Sequence, residues 1–287
     1  MTSLEQHATI AGVRASVAAH RRAGRRIALV PTMGFLHEGH LALVDAAHGL
    51  ADIVVLSIFV NPRQFQPGED FERYPRDFAH DRALAQARHV NILFAPDVGE
   101  MYGGGDEIRI VAGDTAARWE GEFRPGHFDG VLTVVAKLFN IVQPDVACFG
   151  QKDIQQVTLI RRMIQELDLP VQLHVSPTMR ESDGLARSSR NIYLSPEERV
   201  RALALVRGLR AAEAAFEAGE VGAERLRQIV RQSLDAEAEL IADYIAVVEP
   251  ERLSPVVTAD SGTIIAIAAR VGATRLIDNV ILGDEDV

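Results

Sequence analysis

The chain has 287 residues, of which 47% are hydrophobic and 24% charged, with 22 glycines and 12 prolines. That composition fits a globular protein of about two domains and excludes collagen-like, disordered and disulfide-stapled chains. Thirty basic residues against forty acidic ones leave a net charge of −10, which disfavours nucleic acid or an anionic membrane surface as a partner. A cleft can still hold local positive charge for a small anion. No uninterrupted apolar run of about 18 residues occurs, so no membrane span is expected. The N-terminal stretch lacks a basic start followed by an apolar block, so no signal peptide is expected. Cys148 is the one cysteine and cannot pair within the chain, which fits a reducing cytoplasm.

In chain order, near-continuous apolar runs at 26–30, 53–60, 91–95, 146–149 and 171–175 predict strands covered on both faces. Helical patterns lie between them at 39–50, 76–89, 128–142 and 153–167. The alternation predicts an α/β fold, a doubly wound, Rossmann-like parallel sheet with right-handed crossovers. Ligands of such sheets sit beyond the carboxyl ends of the strands. After Pro177 the pattern changes. Ser195-Pro196-Glu197-Glu198 opens a helix with an N-cap, a first-turn proline and a capping glutamate. A second helix is expected over 223–238, then strands at 244–248, 263–269 and 274–281. We therefore expect a domain over 1–178 and a smaller α+β domain over 179–287, joined near SPTMRESDG.

Three loops hold the chemistry. The segment after the first strand reads Pro31-Thr32-Met33-Gly34-Phe35-Leu36-His37-Glu38-Gly39-His40. Gly34 permits a left-handed turn, and a helix starting here aims backbone N–H groups and its positive dipole end at a phosphate. His37 and His40, three apart, face the same way and suit oxygens that gain charge in a transition state. Zinc is the competing reading, but HEGH is not H-E-x-x-H. The second loop is Phe149-Gly150-Gln151-Lys152-Asp153, where Lys152 is a compact cation at a helix start. The third is Asp183-Gly184-Leu185-Ala186-Arg187-Ser188-Ser189-Arg190-Asn191, expected to be a mobile anion clamp. Asn61 and Gln64 after the second strand, and Gln156 one turn past Lys152, supply amides for hydroxyls or carboxylates. The polar 66–75 stretch reads as a lid. Neither a P-loop, a G-x-G-x-x-G after the first strand, nor a G-x-S-x-G is present.

PTMGFLHEGH, SIFVNPRQF, RPGHFDGVLTVVAKLFNIVQPD, FGQKD and DGLARSSRN, in this order and spacing, resemble the pantothenate synthetase (pantoate–β-alanine ligase) family, and the likeness extends to TRLIDNVIL. HxGH alone marks a wider nucleotidyl-transfer superfamily. The resemblance implies an ATP- and Mg²⁺-dependent ligase, a homodimer, that joins pantoate to β-alanine through pantoyl adenylate, with release of AMP and pyrophosphate. It implies that the 33–40 turn binds ATP, with His40 as proton donor and His37 on the phosphates. It implies that Gln64 and Gln156 bind pantoate, that Gly150, Gln151, Lys152 and Asp153 hold the nucleotide, and that the Met179 backbone meets adenine. Arg187, Ser188, Ser189 and Arg190 then form the loop that closes on ATP. Arg187 stands where a methionine is common, and Gln151 where a glutamate is common.

Overall fold

A computed structural model describes residues 4–105 and 107–284. The chain forms two compact units. Unit 1 comprises Met1–Gly113, Arg124–Gly150 and Leu159–Ser176, and unit 2 comprises Asp114–Phe123, Gln151–Thr158 and Pro177–Val287. The elements in order are β1 (Glu5–His7), α1 (Ile10–Arg22), β2 (Ile27–Thr32), α2 (Glu38–Leu50), β3 (Ile53–Ile58), α3 (Phe78–Ala87), β4 (Ile92–Phe94), α4 (Val98–Tyr102), α5 (Asp114–Ala117), α6 (Glu120–Phe123) and α7 (His127–Val142). They continue with β5 (Val146–Gly150), α8 (Ile154–Glu166), β6 (Gln172–Ser176), α9 (Pro196–Glu217), α10 (Ala223–Asp235), β7 (Leu240–Val248), β8 (Ile264–Val271) and β9 (Thr274–Ile281). Short 3₁₀ turns cover Pro62–Gln64, Gln151–Asp153 and Ser189–Tyr193.

Unit 1 is built on a six-stranded sheet of order β1-β4-β3-β2-β5-β6, parallel throughout. From β2 the chain winds outward through β3 and β4, then returns to add β5 and β6 on the other side. The order therefore reverses between β2 and β5, and the crevice beyond their carboxyl ends is the expected ligand position. The central strands are buried on both faces: Ile27, Leu29, Val55, Leu56 and Phe94 are fully enclosed, which is why their sequences read as apolar runs rather than alternations.

Two elements escape the apolar pattern. β1 is the polar triplet Glu-Gln-His, seated at the sheet edge beside β4, so it offers no apolar run to read. α1 follows it with Thr9 as N-cap, accepting from Gly12 N–H, and with His20, Arg21 and Arg22 in its last turn. Those caps are helix signs of the ordinary kind.

Unit 2 packs α9 and α10 on the antiparallel sheet β7-β8-β9. Leu205, Leu209, Leu226, Val230, Ile265 and Ile267 form its core. The expected capping box is present: Glu198 N–H donates to Ser195 Oγ at 3.2 Å, and Ser195 N–H to Glu198 Oε2 at 2.8 Å. β7 begins at Leu240, earlier than its apolar run, because a register shift between Ala242 and Tyr244 breaks the alternation at Asp243. The early stretch 114–123 joins this unit for identifiable reasons. Arg275 donates to both Glu120 oxygens at 2.6 and 2.7 Å and to Asp243 at 2.6 Å. Trp119 Nε1 donates to Leu253 O, and Gln155 donates to Thr115 O and Arg118 O. Among the described residues no helix is long and apolar enough to cross a membrane.

One close approach in unit 1 bears on the site. Gly130 of α7 lies against the Pro62–Gln64 turn, and a Cβ there would overlap the Arg63 carbonyl oxygen and lie 2.8 Å from Gln64 N. Both are backbone atoms, so neither can swing aside. Gly130→Ala is expected to lower stability by about 1–3 kcal/mol, the usual cost of overpacking. A thermal melt checks this, and an unchanged melting temperature would show that the turn yields freely.

Candidate active site

β2 ends in a turn that its residue types force. Gly34 and Phe35 both have positive φ, 81° and 49°, comfortable for glycine and strained for phenylalanine. Thr32 Oγ1 accepts from Gly34 N–H at 3.1 Å and donates to Ser57 O at 2.8 Å. The main restraint is Asp81 on α3, a residue the sequence reading passed over. Its carboxylate accepts from Phe35 N–H at 2.8 Å and Leu36 N–H at 2.6 Å, and the residue is 1% exposed. Burial pushes its carboxyl above the usual range against the pull of those two N–H donors. The sequence sign was a polar residue four before the buried Ala85, on the inward stripe of α3.

The turn delivers His37 as N-cap of α2 in extended conformation. The N-cap side chain makes no capping hydrogen bond at this helix start, where the first N–H groups lack intrahelical acceptors. The His37 and His40 rings stack with centroids 4.1 Å apart and planes 25° from parallel, half-buried like Gly39 between them, while Glu38 is exposed and faces Arg88 at 3.3 Å. Phe35 and Leu36 contribute differently from expectation: their N–H groups serve Asp81 rather than standing open to a ligand.

After β3, Asn61 caps the Pro62–Gln64 turn and is 1% exposed. Its Nδ2 donates to Gln64 Oε1 at 3.0 Å and Gly130 O at 3.1 Å, while its Oδ1 accepts from Arg63 N–H and from Tyr102 OH. All four bonding capacities of the amide are thus engaged by protein in this structure, and one of them holds the side chain of Gln64, beside which Asn61 was expected as a substrate ligand. Gln64 Nε2 donates to Met33 Sδ at 3.1 Å, which sets the amide at the same edge as the histidine turn. Arg124 and His127, also missed, brace the Gln64 main chain. Arg124 donates to Gln64 O at 3.1 Å, and His127 Nδ1 lies 2.8 Å from the same oxygen. His127 Nε2 accepts from Arg124 at 3.2 Å, which assigns the ring proton to Nδ1. Arg124 also holds Glu69 through two bonds of 2.7 Å, so the 66–75 stretch expected as a lid is anchored here.

In unit 2, the Lys152 ammonium makes no hydrogen bond or ion pair with a described residue, and neither does the half-buried Gln156 amide. Gln155 beside it is buried and bonded. Gly150 ends β5, Gln151 Nε2 donates to Asn279 Oδ1 at 3.3 Å, and Asp153 is exposed. The third loop, expected as a mobile anion clamp, forms a hairpin here. Arg187 N–H donates to Met179 O at 2.8 Å and Glu181 N–H to Leu185 O at 2.8 Å, around Gly184 with φ 94°. Ser188 Oγ accepts from Arg190 N–H at 3.2 Å, Ser189 is buried, and Met179 is exposed. Among the described residues no cluster of three or more histidine, cysteine or acidic side chains could hold a metal.

Residues 5–281 match the family model described as pantoate-beta-alanine ligase. The chain is 48% identical over 273 residues to the pantothenate synthetase of Geobacillus thermodenitrificans, covering 95% of this chain and 94% of that one. It is 51% identical over 277 residues to pantothenate synthetase 1 of Bradyrhizobium diazoefficiens, covering 95% and 96%. Among solved structures it resembles a pantothenate synthetase from Thermus thermophilus, with a TM-score of 0.92 and 47% identity over 96% of this chain and 99% of that one. It also resembles the pantoate-beta-alanine ligase of Francisella tularensis complexed with beta-gamma ATP and beta-alanine, with a TM-score of 0.82 and 30% identity over 99% and 100%. With a family match that runs from β1 to the end of β9, the chain belongs to the pantoate-beta-alanine ligase family.

Proposed function

We propose that the chain condenses pantoate with β-alanine at the expense of ATP, through pantoyl adenylate, to give pantothenate, AMP and pyrophosphate. The observation that supports this best is the stacked His37–His40 pair at a helix start whose N-cap side chain makes no capping bond, past β2 at the point where the sheet order reverses, with the Gln64 amide on the same edge. Such a start suits phosphate, and such an amide suits a hydroxy acid.

In the first step a pantoate carboxylate oxygen forms a bond to the α-phosphorus of ATP, and the bond from that phosphorus to the bridging oxygen breaks, releasing pyrophosphate. His40 donates a proton or hydrogen bond to the oxygens that gain charge, and His37 assists on the phosphates. Gln64 and Gln156 hold pantoate. Gly150, Gln151, Lys152 and Asp153, the Met179 backbone, and Arg187, Ser188, Ser189 and Arg190 hold the nucleotide, Lys152 as the charge on its phosphates. In the second step the neutral β-alanine amine attacks the acyl carbon, the bond to AMP breaks, and the amine loses its extra proton to solvent. Positioning and charge stabilisation do most of this work, because adenylation supplies the leaving group. Mg²⁺ belongs to the reaction as the counter-ion that ATP brings. The homodimer, the cytoplasmic setting and the division of labour between 1–178 and 179–287 are part of the same proposal and rest on the resemblance.

Mixing the chain with ATP and pantoate should yield pyrophosphate in near-stoichiometric amount, and adding β-alanine should release AMP and pantothenate continuously. Steady pyrophosphate release with no pantothenate would instead identify a nucleotidyltransferase. His40→Ala should lower turnover about 10²–10³-fold, as for loss of one charge-stabilising donor. Gln64→Ala should weaken pantoate binding in calorimetry and leave ATP binding intact; equal losses would refute its role. Asp81→Asn should lower turnover about 10²-fold by displacing the turn. Its melting temperature should move by only about 2–4 °C. Burial raises this carboxyl, so its charged form costs stability at neutral pH, a cost that fades as pH falls through the raised pKa. The amide removes that cost while losing one acceptor. A large melting shift with normal turnover would assign Asp81 to stability alone.

A further inference from the structure

β9 packs on both 3₁₀ turns of unit 2, Gln151–Asp153 and Ser189–Tyr193. At its centre stand two polar residues that are almost wholly buried, Asp278 at 2% and Asn279 at 1% exposure. Buried polar side chains in a strand are costly unless bonded, and these are bonded outward, to the two nucleotide segments. Asn279 Nδ2 donates to Gln151 O and to Lys152 O, both at 3.0 Å, and its Oδ1 accepts from Gln151 Nε2. Asp278 accepts from Arg180 at 2.7 and 3.2 Å, and from Asn279 N–H at 2.8 Å. Arg180 donates in turn to Gly184 O at 3.3 Å and pairs with Ala186 across the hairpin that leads into Arg187.

We infer that Asp278 and Asn279 are positioning residues for ATP, a role that rests on reading Lys152 and the 187–190 loop as its ligands. Asn279 fixes the backbone from which Lys152 projects, and Asp278 fixes the base of the hairpin that presents Arg187, Ser188, Ser189 and Arg190. The choice of asparagine is chemically specific. Only a primary amide donates two hydrogens from one nitrogen to two carbonyls while its oxygen accepts a third bond, and a glutamine at this position would add a methylene to a closed site. The Lys152 ammonium has no hydrogen bond among the described residues and is held from behind through its main chain, so it keeps its reach toward a phosphate while its origin is fixed. The four rotatable bonds of the side chain then start from a fixed point rather than a moving one. The same strand residue pair acts on both segments at once, which ties the position of one cation to the position of the loop.

The experiment measures kcat and KM for each substrate on the full chain. Asn279→Asp keeps the shape but has no hydrogen to donate, and Asn279→Ala removes the amide. Both should raise KM for ATP about tenfold while KM for β-alanine stays within about twofold. Arg180→Lys, which loses the two-pronged grip on Asp278, should raise KM for ATP about fivefold and keep the rest. Leu276→Ala, a core change on the same strand that touches neither segment through a polar bond, should lower the melting temperature with KM for ATP unchanged. Lys152→Ala combined with Asn279→Ala should be no worse toward ATP than Lys152→Ala alone, because one acts through the other. Additive losses would overturn the inference, as would a KM for ATP that tracks melting temperature across all variants, Leu276→Ala included. If Lys152→Ala itself leaves ATP kinetics untouched, the nucleotide reading fails and the inference with it. If Lys152→Ala is impaired and the Asn279 and Arg180 variants are normal, the inference fails alone.

Discussion

A carboxylate removed from water holds the turn on which the rest of unit 1 depends. Phe35 at φ 49° is a strained residue, at a cost of about 1–3 kcal/mol. Two charge-assisted hydrogen bonds from consecutive N–H groups, about 1.5–3 kcal/mol each, outweigh that strain and leave a margin. The margin is reduced by the burial of Asp81, whose carboxyl is raised rather than lowered despite both donors. The arrangement therefore secures a geometry more than it stabilises the fold. What it secures is the direction in which the chain leaves β2 and enters α2, and hence the stacked histidines.

The same division recurs wherever a polar side chain is placed near the candidate site. Asn61 is fully bonded and Gln64 is braced by it. Gln155 is buried and bonded, while Gln156 beside it has no partner among the described residues. Asn279 has both donors engaged, and the Lys152 ammonium donates to no described residue. At Gln155 and Asn279 a bonded residue absorbs the local bonding requirements while the neighbouring Gln156 amide and Lys152 ammonium have no hydrogen bond among the described residues; Gln64 is instead held in place by its own bonds to Asn61 and Met33. Preorganisation of this kind lowers the ordering cost when a ligand arrives.

The strands and the caps could be read locally, because burial on two faces writes an apolar run and a capping box writes Ser-Pro-Glu-Glu. The 33–40, 61–64 and 150–153 segments could be read because they follow such runs. β1 could not, since its pairing to β4 needs only backbone and its side chains are polar. Asp81 lies 45 residues from the nearer N–H it receives, Arg124 lies 60 residues from the Gln64 carbonyl, and Asn279 lies 127 residues from Lys152. Nothing in the local spacing of an aspartate on a helix or an asparagine on a strand announces a partner so distant. The hairpin at the DGLARSSRN loop was not legible for the same reason: its bond between Arg187 and Met179 is a backbone event and its tie to Asp278 is long-range.

The chain has only two lysines among thirty basic residues, and the contrast between them and the arginines is physical. Arg124, Arg180, Arg199 and Arg275 are each held by carboxylates in two-pronged or paired contacts, which a planar fork favours. An ammonium offers no fork and is captured less firmly. At Lys152 the nearby Asp278 is already bonded to Arg180 and to the Asn279 backbone, so the ammonium meets that carboxylate only through its charge and without a hydrogen bond. Fixed arginine–carboxylate pairs thus build the frame, and in the function proposed above the point charge of Lys152 is the one assigned to the phosphates.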